Sequence, residues 1–133
     1  MVLDRVAKTA SRAFDDALAE AGGSRPVWLA LLALTINAEA NQRQLADFVG
    51  IQGATLTHHL NAMEAAGLVT RVRDPKNRRS HVVRRTAAGD ELFLQLREAA
   101  TAFDKRLRKG LTAQETETLT QLLYRIGENA SGA

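Results

Sequence analysis

Gly67-Leu68-Val69-Thr70-Arg71-Val72-Arg73-Asp74-Pro75-Lys76-Asn77-Arg78-Arg79-Ser80-His81-Val82-Val83-Arg84-Arg85 is the stretch on which the fold turns. Its two ends, residues 68–73 and 81–85, are short, β-branched and roughly alternating, and residues 74–80 between them are rich in turn formers. That pattern predicts a hairpin with a long basic tip. Two short amphipathic helices are expected just before it. Asn41, with Gln44 three residues on, has the form of a capping box; Leu45, Phe48 and Val49 make an inner face and Gly50 stops the helix. The next helix spans about residues 52–66. Leu56, Leu60 and Met63 share one face, and Ala54, Thr55, His58, Asn61 and Ala62 lie opposite at about 100° per residue. Two short helices joined at Gly50-Ile51 and followed by a basic hairpin make a winged helix-turn-helix, with the second helix as candidate for the DNA major groove.

Outward from this centre the chain is helical. Leu3, Val6, Ala10, Ala13, Phe14, Ala17, Leu18 and Ala21 recur at the spacing of an amphipathic helix that ends at Gly22-Gly23. Ser24 and Pro26 open a second helix, and residues 27–36 are apolar on nearly every face, so this helix is expected to be central. Beyond the hairpin, Thr86 caps a long helix carrying Leu92, Phe93, Leu96, Ala99, Ala100, Phe103 and Leu107, which Gly110 ends. Thr112 with Glu115 is another capping box, ahead of Leu119, Leu122, Leu123 and Ile126. The expected class is mostly α with a small β-hairpin wing, as one domain over residues 1–133. Helices at about 1–36 and 87–129 flank a winged part at about 37–86. The end helices have little to pack on within so small a wing domain. Burial against a second copy resolves that, and so does an intramolecular bundle.

Composition narrows the function. The 133 residues contain no cysteine, which removes disulfides, thiolate metal sites and thiol nucleophiles. No apolar run approaches the roughly 18 residues of a membrane span, and the N-terminus lacks the form of a secretory signal, so a cytoplasmic protein is expected. The net charge is only +3, but residues 41–85 carry +5 while the flanking segments carry −1 each. A basic middle between near-neutral ends suggests a local polyanion contact; the plainer reading is a solubilising loop.

The candidate residues follow from this frame. On the second short helix Gln52, Thr55, Thr57, His58, His59 and Asn61 can hydrogen-bond base edges or phosphates, although His59 lies close enough to the apolar stripe to line the interior instead. Asn41, Gln42 and Arg43 begin the preceding helix, where free backbone N–H groups and a cation suit a phosphate. Arg73, Lys76, Arg78 and Arg79 on the wing can lie along phosphates or enter a narrow minor groove. His58 and His59 are adjacent, hence about 100° apart on a helix, and no ligand-spaced cluster supports them, so no metal site or cofactor is expected. Asp15-Asp16 diverge and have no acid–base partner nearby, and no phosphate-binding glycine loop occurs; an enzyme is not expected.

Leu45-Ala46, Glu64-Ala65-Ala66-Gly67-Leu68-Val69-Thr70-Arg71, Asp74-Pro75-Lys76-Asn77-Arg78-Arg79 and Thr86-Ala87-Ala88-Gly89, in that order, resemble the multiple-antibiotic-resistance regulator (MarR) family. Gly110 to Glu115 also looks like the family's turn into its last helix. The resemblance covers about residues 5–128. It implies a homodimer joined through the first and last two helices, regulating transcription in the cytoplasm at pseudo-palindromic operators of neighbouring or own genes. It further implies release by small aromatic acids or phenols, bound in a cleft to which Arg12, Phe14 and Trp28 would contribute. Arg78 is the residue it selects for minor-groove insertion, with Arg79 second. Three positions depart from the family pattern: Gln52-Gly53 where a Ser or Thr cap is common, Asn77 in place of a wing Asp, and Arg85 in place of Leu.

The sequence therefore predicts a dimeric, sequence-specific regulator of double-stranded DNA, most simply a repressor. Two other readings are a protein-interaction module whose basic hairpin contacts an acidic partner, and a ligand-binding or chaperone-like dimer without an operator.

Overall fold

A computed structural model describes residues 1–132, apart from the side chains of Arg78, Arg79 and Ser80. The element order is α1 (Val2–Glu20), α2 (Arg25–Ile36), α3 (Gln42–Val49), α4 (Gly53–Ala65), β1 (Val69–Asp74), β2 (Asn77–Arg85), α5 (Ala87–Leu107) and α6 (Ala113–Ala130). This is the expected winged helix-turn-helix order. Among the described residues no helix is long and apolar enough to cross a membrane. The chain divides into two compact units, Met1–Ala100 and the segment from Thr101 onward.

In the first unit α2 is the central helix, packed on α1, α3, α4 and β2. Trp28, Ala30, Leu31, Ala33 and Leu34 are buried on it, as its all-round apolar sequence predicts. Leu45 of α3, Leu56, Leu60 and Met63 of α4, Val69 and Val83 of the hairpin, and Phe93 and Leu96 of α5 complete one core. The Trp28 and Phe93 rings stack there, 5.5 Å apart and 14° from parallel. One expected core residue lies outside it: Phe48 is 44 % exposed. The buried stripe of α3 is Leu45 and Ala46. Phe48 sits about 60° from Leu45 on the side away from Ala46, at the edge of the stripe rather than on it.

The helix-turn-helix bend is made by Gly50, whose φ of +78° ends α3 in the left-handed conformation that glycine adopts without steric penalty. The capping box at Asn41 and Gln44 forms as expected, with Asn41 Oδ1 accepting from the Gln44 N–H at 2.8 Å and Gln44 Oε1 accepting from the Asn41 N–H at 2.9 Å. Ala40 and Asn41 also do something the sequence did not suggest. The Val83 N–H donates to the Ala40 carbonyl at 2.9 Å, and Asn41 bridges Val82, so the lead-in to α3 lies along the open side of β2.

The hairpin is tighter than its composition implied. Asp74 lies opposite Asn77, with a register shift between Arg73 and Asp74, and the turn consists of Pro75 and Lys76. Asp74 Oδ1 accepts from the Lys76 N–H at 2.9 Å, an Asx-type bond that closes the chain around the proline. The root of the hairpin is clamped to its neighbours. The Leu68 carbonyl accepts from the Thr86 N–H, and the Thr86 hydroxyl donates to the Gly67 carbonyl while capping the Gly89 N–H.

The second unit contains the C-terminal part of α5 and α6. Thr112 and Glu115 form the expected reciprocal cap. Leu119, Leu122, Leu123 and Ile126 remain 43–48 % exposed in the single chain, and no residue of α6 is buried. At spacings of three and four residues these side chains share one face of α6.

Gly89 shows where the root has no slack. A Cβ there would lie 2.1 Å from the Leu68 carbonyl oxygen. Gly89→Ala is expected to destabilise the chain by about 1–3 kcal/mol, the usual cost of forcing extra volume into a packed site. Urea unfolding measures it, and an unchanged midpoint would mean that the Leu68 carbonyl can move aside freely.

Candidate nucleic-acid interface

The outer face of α4 is polar because the helix commits its other face to the core. Leu56, Leu60 and Met63 are buried, and Ala54, Thr55, His58, Asn61 and Ala62 are all exposed, as the 100° spacing predicts. Gln52 caps α4 without a side-chain bond, which leaves its amide exposed at the helix start. Thr57 and His59 are half-buried. The His58 and His59 rings meet edge to face at 5.7 Å. Among the described residues no group of three or more His, Cys, Asp or Glu is placed to hold a metal ion.

Some of the candidates are already engaged within the chain. Gln42 Nε2 donates to the Thr57 hydroxyl at 2.7 Å, and that hydroxyl donates to the Gly53 carbonyl at 2.9 Å. The pair braces α3 against the first turn of α4. Asn41 Oδ1 is taken by the α3 cap. Arg43 is exposed beside Asp47, and both line a cavity of about 540 Å³ with Gln42, Gln52, Gly53 and Thr57.

The wing cations divide into two sets. Arg71 binds Glu64 at 3.0 Å, Arg84 binds Glu39 at 2.7 Å and Arg85 binds Asp90 at 2.9 Å. Arg85 also donates to the Thr35 hydroxyl at 2.7 Å and lies 5.2 Å from the Phe93 ring centroid. The charge that replaces the family's leucine is thus spent on tying β2 to α2 and α5. Arg73 and Lys76 are exposed and make no ion pair among the described residues. Arg78 and Arg79 lie outside the described side chains. Three of the seven cations of residues 71–85 are thus paired within the chain.

Arg71 is the site residue that sequence reasoning did not single out. It sits seven residues beyond Glu64 and across the Gly67 turn, so no helical or strand period pairs the two. Its guanidinium also donates to Asn61 Oδ1, which joins the wing to the exposed face of α4. The same cation holds the Glu64 carboxyl below its usual range, first by their hydrogen bond and further by its charge, with a smaller contribution from His81.

The expected effector residues differ in exposure. Arg12 is exposed, Phe14 is half-buried with the Arg25 guanidinium 5.5 Å from its ring centroid, and Trp28 is buried in its stack with Phe93.

Comparison with known proteins bears on this geometry. The model of the MarR family matches residues 22–80. The uncharacterised HTH-type transcriptional regulator YdgJ of Bacillus subtilis (strain 168) is 33 % identical over 102 residues, which cover 76 % of this chain. The matched region spans only 62 % of that protein's length. Among solved structures, the transcriptional repressor CouR bound to a 23-mer DNA duplex is similar with a TM-score of 0.84 and 28 % identity, over 95 % of this chain and 89 % of that one. The PcaV transcriptional regulator of Streptomyces coelicolor shares the fold with a TM-score of 0.83 at 22 % identity, over 98 % of each chain.

The depressed Glu64 pKa sets a pH dependence. A carboxylate with a lowered folded-state pKa contributes stability that is complete above its unfolded value, near 4.5, and lost as pH falls through the folded value. Wild type is therefore expected to exceed Glu64→Gln in stability at neutral pH, with the gap closing below that window. Denaturant unfolding from pH 7 to 3 tests this; a gap independent of pH would mean that the ion pair does not form.

Proposed function

We propose, from the premise that this chain belongs to the MarR family, that it is a sequence-specific DNA-binding transcription regulator acting as a homodimer in the cytoplasm. The observation that carries the reading is the exposed polar face of α4, Gln52, Thr55, His58 and Asn61, standing beside a wing with uncommitted cations. A duplex carries one negative charge per about 1.7 Å, so Arg73, Lys76, Arg78, Arg79 and Arg43 supply affinity through phosphates. The α4 side chains then read base edges in the major groove, with His59 at its margin. Arginine, the common reader of guanine, is absent from α4, so much of the discrimination falls to the wing and to half-site spacing.

Thr57, Gln42 and Asn41 act at one remove. The Gln42–Thr57 bond holds α3 and α4 in register and Asn41 caps α3, which fixes the angle at which the reading helix enters the groove. CouR, of the same fold, is seen on a 23-mer duplex. Two half-sites one helical turn apart, about 34 Å, fit two copies of α4 related by a two-fold axis. The dimer is supported by the apolar row of α6, which a second copy would cover, and by exposed Val2, Leu3 and Val6 at the start of α1. The protein acts by binding, with no cofactor.

Repression of neighbouring or own genes at a pseudo-palindromic operator is the simplest regulatory role for such a dimer. Release by a small aromatic acid or phenol extends the reading. Arg12 offers a carboxylate partner and Phe14 an apolar wall, whereas Trp28 reaches a ligand only if its stack with Phe93 opens. A tenfold release needs about 1.4 kcal/mol of coupling, obtained by binding one spacing of the two reading helices more tightly than another.

Selection from a random duplex pool tests the regulator. A two-fold-symmetric site bound by one dimer is expected, with a salt slope that falls by about one for each of Lys76→Ala and Arg78→Ala. Equal binding to every duplex would overturn it and favour a module whose hairpin meets an acidic protein. Leu122→Asp is expected to give single chains in sedimentation and to lose the symmetric site. A Leu122→Asp variant that stays dimeric would remove α6 from the interface.

A further inference from the structure

We infer that Arg71 is a positioning residue that fixes which end of the Asn61 amide faces the DNA, and so sets the base preference at one position of each half-site. The inference rests on the DNA-binding reading above and concerns the same helix face. Arg71 sits at the joint between β1 and α4, its side chain only 16 % exposed. One guanidinium nitrogen, Nη2, donates both to Asn61 Oδ1 and to Glu64 Oε1, the latter at 3.0 Å. Asn61 itself is exposed.

The two ends of an asparagine amide differ in kind: the oxygen accepts and the NH2 group donates. A guanidinium has donors only, so the end turned to Arg71 must be the oxygen. That settles the orientation of the amide on chemical grounds, without appeal to how its atoms were assigned. With the oxygen held inward by Arg71, the group left facing outward is Nδ2, a donor.

An unrestrained asparagine commonly reads adenine by presenting both ends, the oxygen to N6–H2 and the nitrogen to N7. Here that pairing requires the oxygen, held toward Arg71, to turn out to the base and accept there with its second lone pair. The restrained amide instead suits acceptors: guanine O6 and N7, thymine O4, or adenine N7 alone, beside an amino group that opposes it. It disfavours the amino groups of adenine and cytosine, which would meet a donor with a donor. Glu64 has a separate part. It neutralises Arg71 and shares its nitrogen, holding the guanidinium at the joint without touching the reading amide.

The test compares base preferences rather than affinity alone, because loss of a structural arginine would weaken binding at every position alike. Wild type, Asn61→Ala, Arg71→Met, Asn61→Asp and Glu64→Gln are each taken through selection on duplexes randomised one position at a time. Urea unfolding and dimer mass serve as controls for folding. In wild type, the position that Asn61→Ala relaxes is expected to favour guanine or thymine by about fivefold or more. Arg71→Met should remove that preference, or shift it to adenine, while the other positions keep theirs. Glu64→Gln should retain it. Asn61→Asp, which keeps an acceptor for Arg71 but turns an oxygen outward, should move it toward cytosine or adenine.

A wild-type preference that survives Arg71→Met overturns the inference, as does a uniform loss at all positions or an Asn61→Ala profile that matches wild type. Should Arg71→Met fail to fold, Asn61→Asp and Glu64→Gln still decide the matter, since a wild-type profile in Asn61→Asp also overturns it. A wild-type protein that enriches no site overturns the regulator reading itself, and the positioning role with it. An enriched site that is indifferent to Arg71 overturns only the positioning role.

Discussion

The Leu68 carbonyl, where the chain leaves α4, is the point from which the wing and the long helix are both set. It accepts from the Thr86 N–H, and the Thr86 hydroxyl spans from the Gly67 carbonyl to the Gly89 N–H. One threonine thus closes the end of the reading helix, the foot of the hairpin and the start of α5. Glycine is needed at residue 89 because the next helical turn passes against that same carbonyl. The hairpin cannot pivot about its root without breaking these bonds, which would leave backbone groups without partners. The angle between α4 and the wing depends on this contact.

Around the root the charges are divided by position. Cations near it are paired within the chain: Arg71 with Glu64 and Asn61 and Arg85 with Asp90, Thr35 and the Phe93 ring, both partly buried, and the still exposed Arg84 with Glu39. Toward the turn, Arg73 and Lys76 stay exposed. A partly buried guanidinium loses hydration and must find acceptors, whereas an exposed one keeps its water until a phosphate displaces it. Surface ion pairs contribute little to stability on average. The value of the inner set lies in geometry, since each pair joins two different elements.

Much of this could be read from residue order alone. The helix ends at Gly50, Gly67 and Gly110, the caps at Asn41, Ser24 and Thr112, and the buried face of α4 are all local features, governed by backbone geometry and a 3.6-residue period. The exposed face of α4 followed as the complement of its buried one. Other features escaped. Phe48 was read inward because an eight-residue helix contains too few apolar residues to define its stripe. The hairpin turn was read as long because its composition does not reveal that the Asp74 carboxylate closes it over Pro75. The strand-like course of Ala40 and Asn41 beside β2 has no period of its own in two residues.

The amino-acid order alone was enough for the winged architecture, the exposed face of α4 and the region of basic charge, because those depend on neighbours within a few residues. Which of the described cations pair within the chain, and what Asn61 Oδ1 accepts from, depended on partners that the order keeps apart. Arg71 meets Glu64 across the Gly67 turn, and Arg85 meets Thr35 from fifty residues away. Those acceptors are brought within reach only when the hairpin has folded back on its root.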